Sequence, residues 1–377
     1  MENQRGNKLM RTLDTAFGPI LLRGLALRKL FVGDSIPVEP RCIGVLCIGA
    51  IGDLLLCSSL LPGLQARFPN CRIVLFASET NKVLLPLIDA DVIKVALSIG
   101  SPSKSLTAIR GEQCDIIIDC AQWPCIAAVL AALGGASWTI GFRVKGHSRH
   151  FCYNTAVEHR SDCHEIENYR SLTAVLKADF AFMPRLKILK EDQAECAALS
   201  LPQSYVALHP WPAGMRSDLK CWPNDRWVAV AEFLAAKNID VVLTGGPADR
   251  EKSAALAANA GAKAKVHDVA GRLSLGGTVE LLRGARAVVS VNTGIMHLAA
   301  AVNPALIALS GPTNPKRWGP ISKTAVSLAP SCEQCGYLNL GFEYPSDPPD
   351  CMGMISVSTV ISALEQLLFT QQDVDHS

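Results

Sequence analysis

The chain has 377 residues, more than one ordinary hydrophobic core accommodates, so two domains are expected. Hydrophobic residues make up 49% and charged residues 19%, which excludes a disordered or fibrous chain. A formal net charge of +2 argues against a nucleic-acid partner, since there is no large basic excess to meet a phosphate backbone.

Residues 1–40 read as an extension. Leu9, Leu13, Phe17, Ile20, Leu21 and Leu25 recur at helical spacing, with Lys8, Arg11, Arg23, Arg28 and Lys29 among them. A basic amphipathic helix of this kind, over residues 8–31, either lies on an anionic membrane surface or packs on the protein's own core. From Arg41 the chain alternates strand-like and helix-like segments. Strands are expected at residues 43–48, 72–77, 115–119 and 139–142, and helices at 54–67, 126–133 and 166–176. A break at residues 183–204 contains Pro184, a charged stretch and Leu201-Pro202. The alternation then restarts, with strands at 205–208, 240–243, 288–291 and 305–309 and a helix at 225–237. A last helix at 357–369 puts Leu364, Leu367 and Leu368 on one side. Such βαβ grammar predicts two doubly wound α/β domains, residues 41–190 and 191–377, with a cleft between them. Ligands of such sheets sit at the strands' C-terminal edges.

Most of the 14 cysteines stand singly in apolar runs, as at Cys42, Cys47, Cys57, Cys120 and Cys125. That placement fits buried thiols in a reducing compartment. No apolar run reaches the ~18 residues of a transmembrane helix, and the N-terminus lacks the pattern of a signal peptide. A cytoplasmic location is therefore expected.

The strand ends carry the candidate chemistry. The segment VVSVNTGIMHLAAA runs a β-branched strand into Asn292-Thr293-Gly294 and then into an apolar helix bearing His297 in its first turn. Asn or Thr serves as N-cap, Gly294 permits a tight turn, and the leading N–H groups form a ready anion site for a phosphate or diphosphate. After the first strand, Gly49-Ala50-Ile51-Gly52-Asp53 departs from Gly-x-Gly-x-x-Gly, which gives a dinucleotide dehydrogenase little support. Asp53 there is either a first-turn carboxylate favoured by the helix dipole or a general base. His209 ends another strand. Lys220 precedes a helix opened by Pro223 and is either a solvated lysine or a neutraliser of phosphate. Gly245 and Gly246 form a further turn, followed by Asp249, which could accept from sugar hydroxyls. Ser310-Gly311-Pro312-Thr313 makes another glycine turn. The basic group Arg143, Lys145, His147 and Arg149 is either a solvated loop or a contact for an anionic acceptor. Cys332, Cys335 and Cys351 suggest a zinc site but supply three ligands where four are usual.

Taken together these blocks resemble glycosyltransferase family 9, the ADP-heptose:lipopolysaccharide heptosyltransferases, over residues 41–368. IGAIGDLLLCSSLLPGLQARFPNCRIVLFAS and CDIIIDCAQ are similar to its opening strands, and HEIENYRSLTAVL to its inter-domain helix. VALHPWPAG, KCWPNDRW, VVLTGGPADRE, VSVNTGIMHLAAA and ALSGPTNPKRWGP are similar to its donor-domain signatures. The resemblance implies the GT-B architecture, two Rossmann-like domains facing a central cleft, with no metal and no cofactor. It implies an anionic glycolipid acceptor on the N-terminal half, contacted by Gly52, Arg143, Lys145 and Arg149, and a nucleotide-sugar donor, ADP-heptose, on the C-terminal half. Asp53 falls on the family's catalytic base and Lys220 on its diphosphate-binding lysine. His209, Gly245, Gly246, Asp249, Asn292, Thr293, Gly294 and His297 fall on its donor site. The implied reaction inverts the anomeric centre; the expected location stays cytoplasmic, at most peripheral on the inner face of the cytoplasmic membrane. Two departures stand out: the family has aspartate where this chain has Asn292, and Trp211-Pro212 where small residues are common.

Overall fold

The computed structural model describes residues 8–31, 35–179, 182–261, 264–303, 305–340 and 343–369. The chain divides into two units, Met1–Arg185 and Leu186–Ser377. The first holds, among the described residues, a parallel six-stranded sheet of β1 (Cys42–Cys47), β2 (Arg72–Ser78), β3 (Ile93–Leu97), β4 (Ile116–Asp119), β5 (Trp138–Arg143) and β6 (Thr155–Glu158). Their order is β3-β2-β1-β4-β5-β6. The second unit repeats the plan with β7 (Tyr205–His209), β8 (Asp240–Leu243), β9 (Val266–Asp268), β10 (Ala287–Val291), β11 (Leu306–Leu309) and β12 (Val326–Leu328), ordered β12-β11-β10-β7-β8-β9. In both, the chain winds outward from the central strand on one side, then crosses to the other. The reversal falls between β1 and β4, where Val45 pairs with Ile118, and between β7 and β10, where Leu208 pairs with Val289. This is the winding of nucleotide-binding doubly wound sheets, whose ligand crevice lies at the reversal.

The central strands are continuous apolar runs because both of their faces are covered. Every residue of β1, β4, β7, β10 and β11 is buried. The edge strands β3, β6, β9 and β12 are half-exposed and short, and none was anticipated from the sequence. The covering helices of the first unit are α1 (Lys8–Leu25), α2 (Ile51–Ser58), α3 (Leu61–Arg67), α4 (Pro102–Gly111), α5 (Cys125–Leu133) and α6 (Glu165–Ala174). Those of the second are α7 (Lys190–Ala197), α8 (Asn224–Ala236), α9 (Arg250–Ala260), α10 (Leu275–Gly284), α11 (Gly294–Val302), α12 (Pro315–Trp318) and α13 (Val357–Phe369).

Two expectations need correction. The helix expected over residues 54–67 is two helices, because the Ser58 and Ser59 hydroxyls bond back to the Leu55 and Leu56 carbonyls and Pro62 has no N–H to continue the ladder. The break at residues 183–204 contains a helix, α7, whose Glu195 accepts from the Ser274 N–H at 2.9 Å and so braces the start of α10.

Of the two readings of the N-terminal helix, packing on the protein's own core is observed for its inner face. Asp14 accepts from the Cys125 and Ile126 N–H groups at 2.8 and 2.9 Å, capping α5 from another helix. Gly18 lies so close to α5 that a Cβ there would come within 2.5 Å of Cys125 Cβ, and Leu22 is fully buried. Phe17, Ile20, Leu21 and Leu27 instead remain exposed. The side chains of Lys8, Leu9, Arg11 and Leu13 lie outside the described ones.

Candidate active site

In the first unit β1 ends at Cys47 and the chain turns through Gly49 and Ala50 into α2. Asp53 reaches back one turn, and its Oδ2 accepts from the Ala50 N–H at 2.6 Å. Gly49 is required there, since a Cβ would stand 2.5 Å from that same oxygen. The first-turn role considered for Asp53 is thus realised, and the half-buried carboxylate is fixed at the strand's C-terminal edge. Gly52 is buried in the same turn. Asn81, invisible to the motif search, holds the turn from the next strand: it donates to the Cys47 carbonyl at 3.1 Å and accepts from the Ser78 N–H at 2.8 Å.

Beside it, across the reversal, β4 ends in Asp119, which is fully buried. Asp119 Oδ2 accepts from Arg149 at 2.6 Å and from the Tyr153 hydroxyl at 2.6 Å, while Oδ1 accepts from the Ala121 N–H. Arg149 also donates to the Ala121 carbonyl and to Tyr153 Oη. Arg149 is therefore not part of a surface basic cluster with Arg143 and Lys145. It is fully buried as the counter-ion of Asp119, and the structure removes it from the expected acceptor contacts. Arg143 and Lys145 are exposed, and Arg143 lies 4.0 Å from Glu158.

A second buried group adjoins this edge. Glu165 is fully buried and accepts from Gln122 at 2.7 Å, Asn168 at 3.2 Å and His159 Nε2 at 3.1 Å. Gln122 also donates to Tyr169 Oη at 3.1 Å. Burial, and then the carboxylates of Asp53 and Glu165, push the Tyr169 hydroxyl pKa well up, so it stays protonated beside Asp53. Nothing in residue spacing marked these side chains. The signal was present only as Asp119 and Gln122 in the strand-end block, and Glu165, Asn168 and Tyr169 in the α6 block.

In the second unit His209 ends β7, and its Nδ1 lies 2.9 Å from Thr244 Oγ1. Thr244 Oγ1 in turn donates to the Leu208 carbonyl at 3.3 Å. Burial holds this imidazole down at about 4. Gly245 follows, where a Cβ would stand 2.7 Å from Trp211 Cδ1, so the indole at this unusual position is what the glycine accommodates. Asp249 turns back like Asp53: Oδ2 accepts from the Gly246 N–H at 2.9 Å, and Oδ1 pairs with Lys252 at 3.0 Å. Lys220 closes a short 3-10 turn and donates to the Ala213 carbonyl at 3.3 Å.

β10 ends in Asn292. Its side-chain amide donates to the Trp318 carbonyl at 2.9 Å and to Ser310 Oγ at 3.4 Å. A carboxylate could make neither bond as donor, so the asparagine fits its surroundings here. Thr293 is the N-cap residue of α11 by backbone, yet its side chain caps nothing. Its Oγ1 is buried without a hydrogen-bond partner among the described residues. The N–H groups of Gly294, Ile295 and Met296 have no carbonyl ahead of them in the helix. His297 is buried one turn on. A helix N-terminus left open in this way has the polarity to receive an anion.

Cys332, Cys335 and Cys351 do approach one another, since burial and then bonds from Cys351 and Cys332 push the Cys335 thiol up. Among the described residues no group of three or more His, Cys, Asp or Glu is placed to hold a metal ion.

The described residues thus hold two doubly wound sheets, one with a carboxylate at its reversal and the other with a helix N-terminus that no side chain caps. The family model "Glycosyltransferase family 9 (heptosyltransferase)" matches residues 104–336, more than half of the chain. The chain belongs to that family and is a glycosyltransferase. It is 27% identical to lipooligosaccharide heptosyltransferase 2 of Haemophilus influenzae over 76% of this chain and 88% of the relative. The structure of E. coli ADP-heptose lps heptosyltransferase II covers 88% of this chain and 99% of its own with a TM-score of 0.70 at 24% identity. E. coli heptosyltransferase WaaC, solved with ADP, covers 86% and 99% with a TM-score of 0.66 at 21% identity. The expected pair of Rossmann-like domains is thus observed, one in each unit.

Two outcomes follow. Arg149→Met leaves Asp119 buried without its counter-ion and is expected to cost about 3–5 kcal/mol in urea denaturation, whereas Arg143→Ala stays within about 0.5 kcal/mol. Similar small effects from both would overturn the structural role given to Arg149. His209 is held at about 4 against an ordinary 6.5, so the unfolded chain binds a proton that the folded chain refuses across that window. Stability then falls as pH drops below 6.5, by about 2 kcal/mol at pH 5, and His209→Gln is expected to remove that share of the slope in urea midpoints.

Proposed function

We propose that this glycosyltransferase moves heptose from ADP-heptose to the lipopolysaccharide core or a similar anionic surface glycolipid, with inversion and without a metal ion. The observation that carries the reading is the end of β10, where Thr293 leaves the α11 N-terminus uncapped and its own hydroxyl buried without a partner. A diphosphate supplies the acceptor oxygens that this site lacks. The second unit is then the donor side, with Thr293, Gly294 and His297 near the diphosphate, Lys220 and His209 beside it, and Gly245, Gly246 and Asp249 at the neighbouring strand end. The first unit is the acceptor side, with Gly52 and Asp53 at the reacting hydroxyl and Arg143 and Lys145 meeting acidic groups of the glycolipid.

A sugar hydroxyl is a weak nucleophile. Asp53 takes its proton as the oxygen bonds to the anomeric carbon, and the bond to the diphosphate oxygen breaks on the opposite face. The anomeric configuration inverts, and ADP leaves with the bonding electrons. Lys220 and the positive end of α11 stabilise the charge developing on it. Support comes from the family membership, from relatives named as heptosyltransferases, and from the solved complex of E. coli WaaC with ADP-2-deoxy-2-fluoro heptose.

A second reading is favoured by Asn292, whose amide is engaged with the Trp318 carbonyl where the family has a carboxylate. On that reading the chain uses another nucleotide-sugar. Binding and hydrolysis of ADP, UDP, GDP and CMP sugars separate the two: selective turnover of a donor other than ADP-heptose would sink the first. Asp53→Asn keeps an oxygen for the Ala50 N–H but removes the base. It is expected to lower kcat about 10²–10⁴-fold with KM little changed, measured with ADP-heptose and a truncated lipopolysaccharide.

A further inference from the structure

The inner stripe of α1 is accounted for by Asp14, Gly18 and Leu22, which fix the helix on α5. Its outer stripe is not. Phe17, Ile20 and Leu21 are 64%, 70% and 49% exposed, and Leu27 in the following turn is 65% exposed. Positions 17, 20 and 21 fall on one face of the helix, about 120° from the buried stripe. Beside it Phe151 is 38% exposed, with the Arg23 guanidinium 5.4 Å over its ring. A contiguous exposed apolar stripe rimmed by polar side chains marks an interaction surface.

The charges around the stripe say which partner. Residues 8–31 carry five basic side chains (Lys8, Arg11, Arg23, Arg28 and Lys29) and one acid, Asp14. That acid is turned inward onto the α5 N–H groups. Arg23, Lys29, Arg143 and Lys145 are exposed. Arg143 and Lys29 stand close enough to His150 that, after burial, their charges add to the lowering of its pKa. The nearby acid of the sheet edge, Glu158, faces Arg143. No described helix is long and apolar enough to cross a membrane.

We propose that the outer face of α1 docks side-on upon an anionic phospholipid bilayer, with Phe17, Ile20, Leu21 and Leu27 in the interface and Arg23, Lys29, Arg143 and Lys145 against the headgroup phosphates. A second copy of the chain fits this face poorly, because it would bring the same cations together. Because Asp14 caps the first turn of α5, the beginning of α1 lies at the C-terminal edge of the sheet, the edge that carries Asp53. The docking does not depend on the donor proposed above, and its tested side chains, Phe17, Ile20, Leu27, Arg23 and Lys29, are none of those assigned to the acceptor.

The test is flotation of the full chain with vesicles of phosphatidylethanolamine and phosphatidylglycerol, and with vesicles of phosphatidylcholine alone. The expected result is about tenfold more protein on the anionic vesicles, lost with Phe17→Glu/Ile20→Glu and lost again with Leu27→Glu. Arg23→Glu/Lys29→Glu is expected to erase the preference for anionic lipid. All these side chains are exposed, so the thermal midpoint should not move, and Leu27→Glu serves if the double variant is unstable. Equal binding to both vesicles, no binding, or binding unchanged in the variants overturns the proposal. So does a light-scattering mass of a dimer that Ile20→Glu reduces to a monomer.

Discussion

Both faces of each sheet are covered, so the central strands can carry only apolar side chains along their length. Polar groups are thereby driven to the strand ends. In a parallel sheet all the ends that lead into helices lie on one edge, and there the reversal of winding opens the crevice. Asp53 and Asp119 in the first unit, and His209 and Asn292 in the second, stand where they do for that reason. The same device recurs at the first strand of one unit and the second strand of the other. A glycine turn lets an aspartate curl back onto the N–H at the head of its helix, at Gly49 with Asp53 and at Gly246 with Asp249. The bond fixes the carboxylate before any ligand arrives, which lowers the entropic cost of positioning it.

The buried polar groups of the first unit are a costly way to build an edge. Asp119 and Arg149 gain little over an apolar pair of the same shape, because each loses its hydration. What they secure is definition: Arg149 also holds the Ala121 carbonyl and Tyr153, and Gly141 is bare because a Cβ would stand 2.4 Å from the Tyr153 ring. Glu165 ties α6 to the same edge through Gln122 and His159. The backbone around the reversal is thus over-determined by hydrogen bonds that have one satisfactory arrangement.

The legible part of the sequence follows the same physics. Strands β1, β4, β7, β10 and β11 were visible because two-sided burial forces unbroken apolar runs. β3, β6, β9 and β12 were not, because one-sided edge strands mix exposed and buried residues over three to five positions. Asp53, Lys220 and the turn at Thr293 were visible because glycine and helix-start signals flank them. Arg149 was misjudged because a buried cation looks, in sequence, like its exposed neighbours Arg143 and Lys145. Its partner Asp119 lies 30 residues away, and pairing across that distance is set by β5 and the turn after it. Asn81 and Glu165 were missed likewise, since their roles exist only once β2 and α6 are in place.

The cysteines of the first unit carry one more consequence. Cys47, Cys57 and Cys120 are fully buried at the ends of β1, α2 and β4, and their thiols are pushed up, so none is held as a thiolate. An alkylating reagent reaches them only when this edge of the sheet opens. Their modification rate is therefore a clock on local unfolding beneath Asp53, while Cys221, exposed on the second unit, reports reagent and pH alone.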